Sequence, residues 1–345
     1  MTLDPLYKLL QQMPKVELHR HWEASMRLET LLDIALEYGI EMPEYEVDTL
    51  RPFVQVMPDE PHSMQHFLGK FAMLRQFYRS IEVVERITRE IVIDAAEDNV
   101  RYMELRFTPK ALCNISQCTV QQVVEMVCQT AQKTASEYGI TVKLIASMNR
   151  HESVKFGERV LRAAVDHKKD GIVGLDLAGN EQMSALPFRE IFQEAKQEGL
   201  GITIHAGEWD GSNSVWDAVG NMNADRIGHG VRALEDPSVM NILIEREVVL
   251  EVCPSSNVLS GIVPSLEDHA LPTLIQQKLQ VTINTDDPII CDINLTDEVY
   301  HAVKYMNLTI DDIKQSTICA ARASFLPAPE RDALVAQFQS WLADI

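Results

Sequence analysis

Short apolar or β-branched runs alternate with helix-patterned segments along nearly the whole chain, and no other feature narrows the possible folds as far. Strand patterns cover Lys15 to His21, Val100 to Phe107, Val142 to Ser147 and Gly171 to Leu177, and further ones end near His205, His229, Val252 and Thr285. Counted from Lys15 they make eight, each followed by a helical segment. A parallel neighbour needs a crossover helix, and eight such units are enough to close a barrel. The first strand lacks the Gly-x-Gly-x-x-Gly turn that a doubly wound nucleotide-binding sheet would carry. The expected fold is therefore α/β, a single (β/α)8 TIM barrel over residues 1–345.

Several local patterns refine this expectation. Leu6 to Met13 reads as a short helix leading into the first strand, and Ser25 as the cap of a helix that Gly39 ends. From Glu41 to about Ser80, Pro43, Pro52, Pro58 and Pro61 interrupt the pattern until a helix-like run with Phe67, Phe71, Leu74, Phe77 and Tyr78. Such a long aromatic-rich insertion after the first strand is expected to act as a packed lid. A helix follows over Ile81 to Glu97, and the last stretch, from Thr309 to Ile345, reads as helical and amphipathic. Glu104 and Arg106 lie two apart on a strand, so both are expected to enter a buried charge network.

A formal net charge of −20, with no Lys/Arg-rich run, argues against nucleic acid as a partner. No apolar run is long enough to span a membrane, and Met1-Thr2-Leu3-Asp4-Pro5 has no signal-peptide pattern, so a cytoplasmic location is expected. The six cysteines show no Cys-x-x-Cys spacing, which points away from thiolate metal sites and disulfides. Any metal should then sit among nitrogen and oxygen ligands, as zinc accepts.

The ends of the strands carry the chemistry. In Val16-Glu17-Leu18-His19-Arg20-His21 the two histidines share one face of a strand, as two imidazoles must to hold one ion. Thr203-Ile204-His205-Ala206-Gly207-Glu208, Arg226-Ile227-Gly228-His229-Gly230 and Thr282-Ile283-Asn284-Thr285-Asp286-Asp287-Pro288 also stop abruptly in polar residues. Catalytic groups of a (β/α)8 barrel come from the C-terminal ends of several strands.

His19-Arg20-His21, Asp176-Leu177-Ala178-Gly179, His205-Ala206-Gly207-Glu208, Gly228-His229-Gly230, Cys253-Pro254-Ser255-Ser256-Asn257 and Asn284-Thr285-Asp286-Asp287-Pro288 together resemble the adenosine deaminase family of zinc amidohydrolases. The resemblance spans nearly the whole chain in the family's order. It implies one zinc ion per subunit, bound by His19, His21, His205 and Asp286. It also implies that zinc lowers the pKa of its water from about 15.7 to about 7. His229 would orient and help deprotonate that water, with Asp286 accepting a hydrogen bond from it. Glu208, kept protonated by burial, would give a proton to the purine ring before ammonia leaves.

On the substrate side, Asp287 matches the family residue that hydrogen-bonds the far imidazole nitrogen of the purine, with support of the zinc ligands as the alternative. Gly179 matches a ring contact made by backbone, or is simply a turn glycine. Glu23 stands beside His21 where many members carry an Asp that meets the sugar hydroxyl, and its longer arm moves the carboxylate. Arg20, Trp22 and Ala24 depart from the commoner apolar-apolar-Gly pattern. Trp22 is expected to wall the pocket or pack beneath the lid, and Arg20 to point away from the metal as an ion-pair residue. Trp209 is expected at the pocket entrance, and His62, His66, His151 and His167 in surface or capping roles.

The implied substrate is a small 6-aminopurine nucleoside, adenosine or deoxyadenosine first. Adenine or a modified adenosine of the aminodeoxyfutalosine type are the alternative substrates, and an inactive nucleoside-binding protein is the non-enzyme alternative. The sequence leaves the oligomeric state open.

Overall fold

The computed structural model describes residues 4–42, 45–116, 118–343 and 345, so Pro43 of the expected insertion lies outside the described residues. Eight strands run parallel in sequence order: β1 (Lys15–His21), β2 (Val100–Phe107), β3 (Thr141–Asn149), β4 (Ile172–Ala178), β5 (Gly201–Ala206), β6 (Arg226–His229), β7 (Val249–Val252) and β8 (Gln280–Ile283). Just past β8 the chain turns back onto β1. There the His21 N–H donates to the Asp286 carbonyl and the Asp286 N–H to the His19 carbonyl, both at 2.8 Å. Leu18 N–H reaches Asn284 Oδ1 at 3.0 Å across the same seam. The expected (β/α)8 barrel is thus formed, and its closing bonds involve the residues that carry the candidate site.

Strand β7 is walled on both sides. Val249, Leu250, Glu251 and Val252 are all buried, between the helix layer and the barrel interior. Glu251 in such a run has to meet cations. Arg106 Nη2 and Arg226 Nε each donate to it at 2.6 Å, and Arg226 Nη2 lies 2.7 Å from Glu104. The charge network expected around Glu104 and Arg106 therefore fills the barrel interior.

The insertion forms the helices Val47–Val54 and Met64–Leu74 and a tight turn over Arg75–Phe77. The buried side chains of Lys70 and Tyr78 hold it in place. Lys70 Nζ donates to Glu60 and to the Pro52 carbonyl, both at 2.7 Å, and Tyr78 Oη donates to the Glu23 carbonyl at 3.0 Å.

One local expectation is corrected. Ser25 does not cap the following helix, which spans Leu28–Tyr38 behind Arg27; its hydroxyl donates to the His21 carbonyl and accepts from Arg20 Nε instead. The nearby acceptor past the strand end outcompetes the helix amides. The last stretch is helical as expected and is divided into two helices, Ile310–Ala323 and Ala328–Leu342. Pro327 restricts Leu326 to extended backbone and breaks the run. The break lets Phe325 plug the N-terminal end of the barrel, its ring centre 3.6 Å from the Arg226 guanidinium carbon. A Cβ on Gly201 would come within 2.3 Å of that ring.

Helix Leu295–Tyr305 contributes Glu298, fully buried, whose Oε1 accepts from the Ser255 N–H at 2.9 Å while Oε2 has no partner among the described residues. Burial pushes this carboxyl from 4.5 up to about 8. Between those values the folded chain keeps a proton that the unfolded chain has released, so the Glu298 contribution is full below pH 4.5 and is lost as pH rises towards 8. E298Q imitates the neutral form. The difference in Tm between variant and parent should shift in favour of the variant from pH 5 to pH 8, read by thermal melts across that range.

Candidate active site

Imidazoles from three strands and a carboxylate beyond a fourth meet at the C-terminal end of the barrel. The ligand atoms of His19, His205, His229 and Asp286 all lie within 4.8 Å of one another. His21 joins them, its Nε2 3.2 Å from His205 Nε2 and 3.3 Å from Asp286 Oδ1. Gly228 makes this crowding possible, since a Cβ there would meet His19 Cε1 at 2.9 Å. His229 and Asp286 both take left-handed backbone, with φ of 62° and 61°, which non-glycine residues adopt only where the surroundings impose it.

The other ring nitrogens are already committed. His19 Nδ1 donates to Glu251 Oε2 at 2.8 Å and His205 Nδ1 to Asp176 Oδ1 at 3.0 Å. Both carboxylates are fully buried, yet Arg106 and Arg226 for Glu251, and His205 and Arg106 for Asp176, hold them well below the ordinary range against that burial. Each of these two imidazoles therefore turns its Nε2 into the cluster. His19 Nε2 is buried without a hydrogen bond, although Asp286 Oδ1 is 3.2 Å away. Burial holds His205 at about 4, so its ring is neutral and its lone pair available. Imidazole nitrogens and a carboxylate packed this tightly fit one divalent cation of the borderline class.

His229 is oriented differently. Leu271 N–H donates to His269 Nδ1 at 3.0 Å, so His269 carries its proton on Nε2 and donates to Asn257 Oδ1 at 3.2 Å. Asn257 then donates its amide N–H to His229 Nδ1 at 3.1 Å. That assigns the His229 proton to Nε2, which faces Glu208 Oε2 at 3.5 Å and Asp286 Oδ2 at 3.9 Å.

A cavity of about 270 Å³ opens over the cluster. Glu208, Asp287, Glu23 and Gly179 line it with His21, and Phe67, Phe71 and Arg75 of the insertion cover one side. Burial, then the charges of Asp286, Glu181 and Asp287, push the Glu208 carboxyl well above its ordinary value. Burial and the charges of Asp286 and Glu23 do the same for Asp287, whose Oδ1 has no partner among the described residues. Glu23 is anchored through Oε1, which accepts from the Thr108 N–H at 2.6 Å, and its Oε2 has no partner among the described residues.

His19, His21, His205, His229, Asp286, Glu208, Asp287, Gly179 and Glu23 are brought together here. Trp209 lines the cavity, and so does His151, for which only a surface or capping role was expected. Trp22 packs instead beneath the insertion, with Nε1 donating to Thr88 at 2.8 Å and its ring edge-on to Tyr78. The supporting roles of Glu251, Glu181, Asn257 and His269 were not read from the sequence. For Glu251 a signal existed, a lone charge inside an apolar strand.

A parallel barrel gathering imidazoles and a carboxylate at its C-terminal strand ends defines the metal-dependent amidohydrolase class. A family model described as adenosine deaminase matches residues 14–341. The adenosine deaminase of Klebsiella pneumoniae subsp. pneumoniae is 35% identical over 324 residues, 94% of this chain and 97% of that one. Among solved structures, the adenine deaminase of Arthrobacter aurescens superposes with a TM-score of 0.87 at 26% identity, over 96% of this chain and 99% of that one. The Arabidopsis N6-mAMP deaminase gives a TM-score of 0.85, also at 26% identity, over 96% and 99% of the two chains. The chain belongs to the adenosine deaminase family.

Proposed function

We propose that this chain hydrolytically deaminates a 6-aminopurine nucleoside, turning adenosine or deoxyadenosine into inosine or deoxyinosine and ammonia. One observation carries the substrate reading: two buried carboxyls raised by their surroundings, Glu208 and Asp287, line the same cavity as the imidazole cluster. A purine offers acceptor nitrogens on both of its rings, and two neutral carboxyls are the donors such a base needs.

Zinc, one ion per subunit held by His19, His21, His205 and Asp286, would supply the Lewis acid that makes water nucleophilic near neutral pH. Glu208 gives its proton to the six-membered ring nitrogen, which makes the neighbouring amino-bearing carbon electrophilic. Asp287 donates to the far imidazole nitrogen and fixes the ring. His229 aims its Nε2–H at the incoming oxygen, so in this tautomer it orients that oxygen rather than taking its proton. Water adds at that carbon; one of its protons passes to the amino group, which leaves as ammonia, and the other returns to the Glu208 carboxylate as the new C–O bond becomes a carbonyl.

Glu23 turns its unpartnered Oε2 to the sugar hydroxyl, and the Gly179 backbone, at φ 86°, borders the ring. The chain is read as one barrel domain over 1–345, with residues 41–80 as the cover that keeps water out. No helix among the described residues is long and apolar enough to cross a membrane, and no disulfide joins their cysteines, which suits a reducing cytoplasm.

A substrate panel tests the reading. Zinc-loaded protein should release ammonia from adenosine and deoxyadenosine, with loss of absorbance in the purine band, faster than from adenine or sugar-modified adenosines. Dialysis against a chelator should abolish the rate, and added zinc should restore it. Metal-replete protein that releases no ammonia from any 6-aminopurine nucleoside or base would sink the proposal.

A further inference from the structure

Glu181 lies beyond the cavity's chemistry, just after β4, yet it is 2% exposed and its carboxylate is saturated with donors. Three consecutive backbone amides converge on its Oε2: Glu208 at 3.1 Å, Trp209 at 2.6 Å and Asp210 at 2.7 Å. Its Oε1 accepts from Ser214 Oγ at 2.9 Å, and that hydroxyl in turn accepts from the Gly207 N–H at 2.7 Å. The whole turn from Gly207 to Asp210 is thereby wrapped around one buried carboxylate.

Successive amides pointing into one concavity form an anion nest, and here the anion belongs to the protein. The turn needs such an anchor. Gly207 has φ of 68°, and a Cβ there would come within 2.4 Å of Val215, so the backbone has left the strand in a conformation few residues hold. Arg150 fastens the other side, donating to the carbonyls of Glu181 at 3.2 Å, Met183 at 2.8 Å and His205 at 2.6 Å. The loop after β4 and the end of β5 are therefore locked to each other. Glu208 is the one residue of the turn whose side chain faces both the cavity and His229.

We infer that Glu181 is a positioning residue for the deamination proposed above, holding the turn that aims the Glu208 carboxyl at the purine ring nitrogen. Glu181 touches neither substrate nor the imidazole cluster and acts only through Glu208. A misplacement of about 1 Å in a proton donor can lower turnover by roughly 10²-fold without weakening binding. Glutamine at 181 keeps the volume but points an N–H₂ or a single oxygen at donors that need two acceptors.

The test is a double-variant cycle on zinc-loaded protein with adenosine: parent, E181Q, E208Q and E181Q/E208Q. E181Q should lower kcat by roughly 10- to 100-fold with KM within about threefold and with zinc affinity, measured by chelator competition, unchanged. In the E208Q background the same change should have no further effect. S214A, which loosens one tether and leaves the carboxylate in place, should show a smaller kcat loss that also vanishes in E208Q, whatever E181Q does to the melting temperature. An E181Q loss that persists undiminished in E208Q, or an E181Q enzyme as fast as the parent beside a slow E208Q, overturns the positioning role alone. An E208Q enzyme as fast as the parent overturns the proton-donor reading, and the positioning role with it.

Discussion

Glu208→Gln is expected to lower kcat on adenosine by roughly 10²- to 10⁴-fold, the range a positioned proton donor supplies, with KM changed far less. Glutamine fills the same space and still offers the ring nitrogen a hydrogen bond, so the base should bind nearly as before. It has no proton to give up. The parent carboxyl is buried among Asp286, Glu181 and Asp287, and its pKa stands well above the ordinary carboxyl value. The working form is the protonated one, so that form is present below the raised pKa and is lost as pH rises through it. The alkaline fall in kcat should accordingly belong to Glu208 and be missing from the residual rate of E208Q. Zinc content, measured on the purified variant, should match the parent. A variant within about tenfold of the parent would remove Glu208 from the proton path.

The sequence was most legible where one short segment supplies both position and chemistry. His19 and His21 on one strand, His205 before Glu208, and Asp286 beside Asp287 could be read from strand pattern and family resemblance, since each pair is local. The barrel followed for the same reason: alternating strands and helices state their order along the chain. What escaped was non-local. His19 meets Glu251 across 232 positions, and His229 takes its tautomer from Asn257 and His269, which lie on a different stretch of chain. Glu181 looks like an ordinary polar residue in a loop until the turn after β5 closes on it. Ser25 and the break at Pro327 were misread or missed because competing acceptors and a plug under the barrel exist only in three dimensions.

Glu251→Gln is expected to destabilise the fold by about 3–5 kcal/mol, the range for a buried charge left without its counter-ion. Glu251 accepts from Arg106 and His19 on Oε2, and from Arg226 and Thr203 on Oε1. A glutamine must turn an N–H₂ towards one of those pairs and leave at least one fully buried guanidinium facing a donor. The sign of the pH effect is opposite to that at Glu298. Arg106 and Arg226 hold the folded pKa of Glu251 well below 4.5, so its contribution is present above that value and is lost as pH falls through the folded pKa. Urea melts at pH 7 should show the full deficit, and at acid pH the gap between variant and parent should narrow. The same glutamine loosens His19, whose Nδ1–H then lacks a fixed acceptor, and zinc affinity by chelator competition should drop roughly 10- to 100-fold. A stable E251Q with parental zinc affinity would mean that the arginines find other partners and that His19 is oriented by packing alone. Arg106 Nη1, 3.4 Å from Asp176, and Arg226 Nη2, 2.7 Å from Glu104, are where such compensation would have to come from. Each of those carboxylates already serves another donor, His205 for Asp176 and Tyr102 for Glu104, which is why the larger loss is expected.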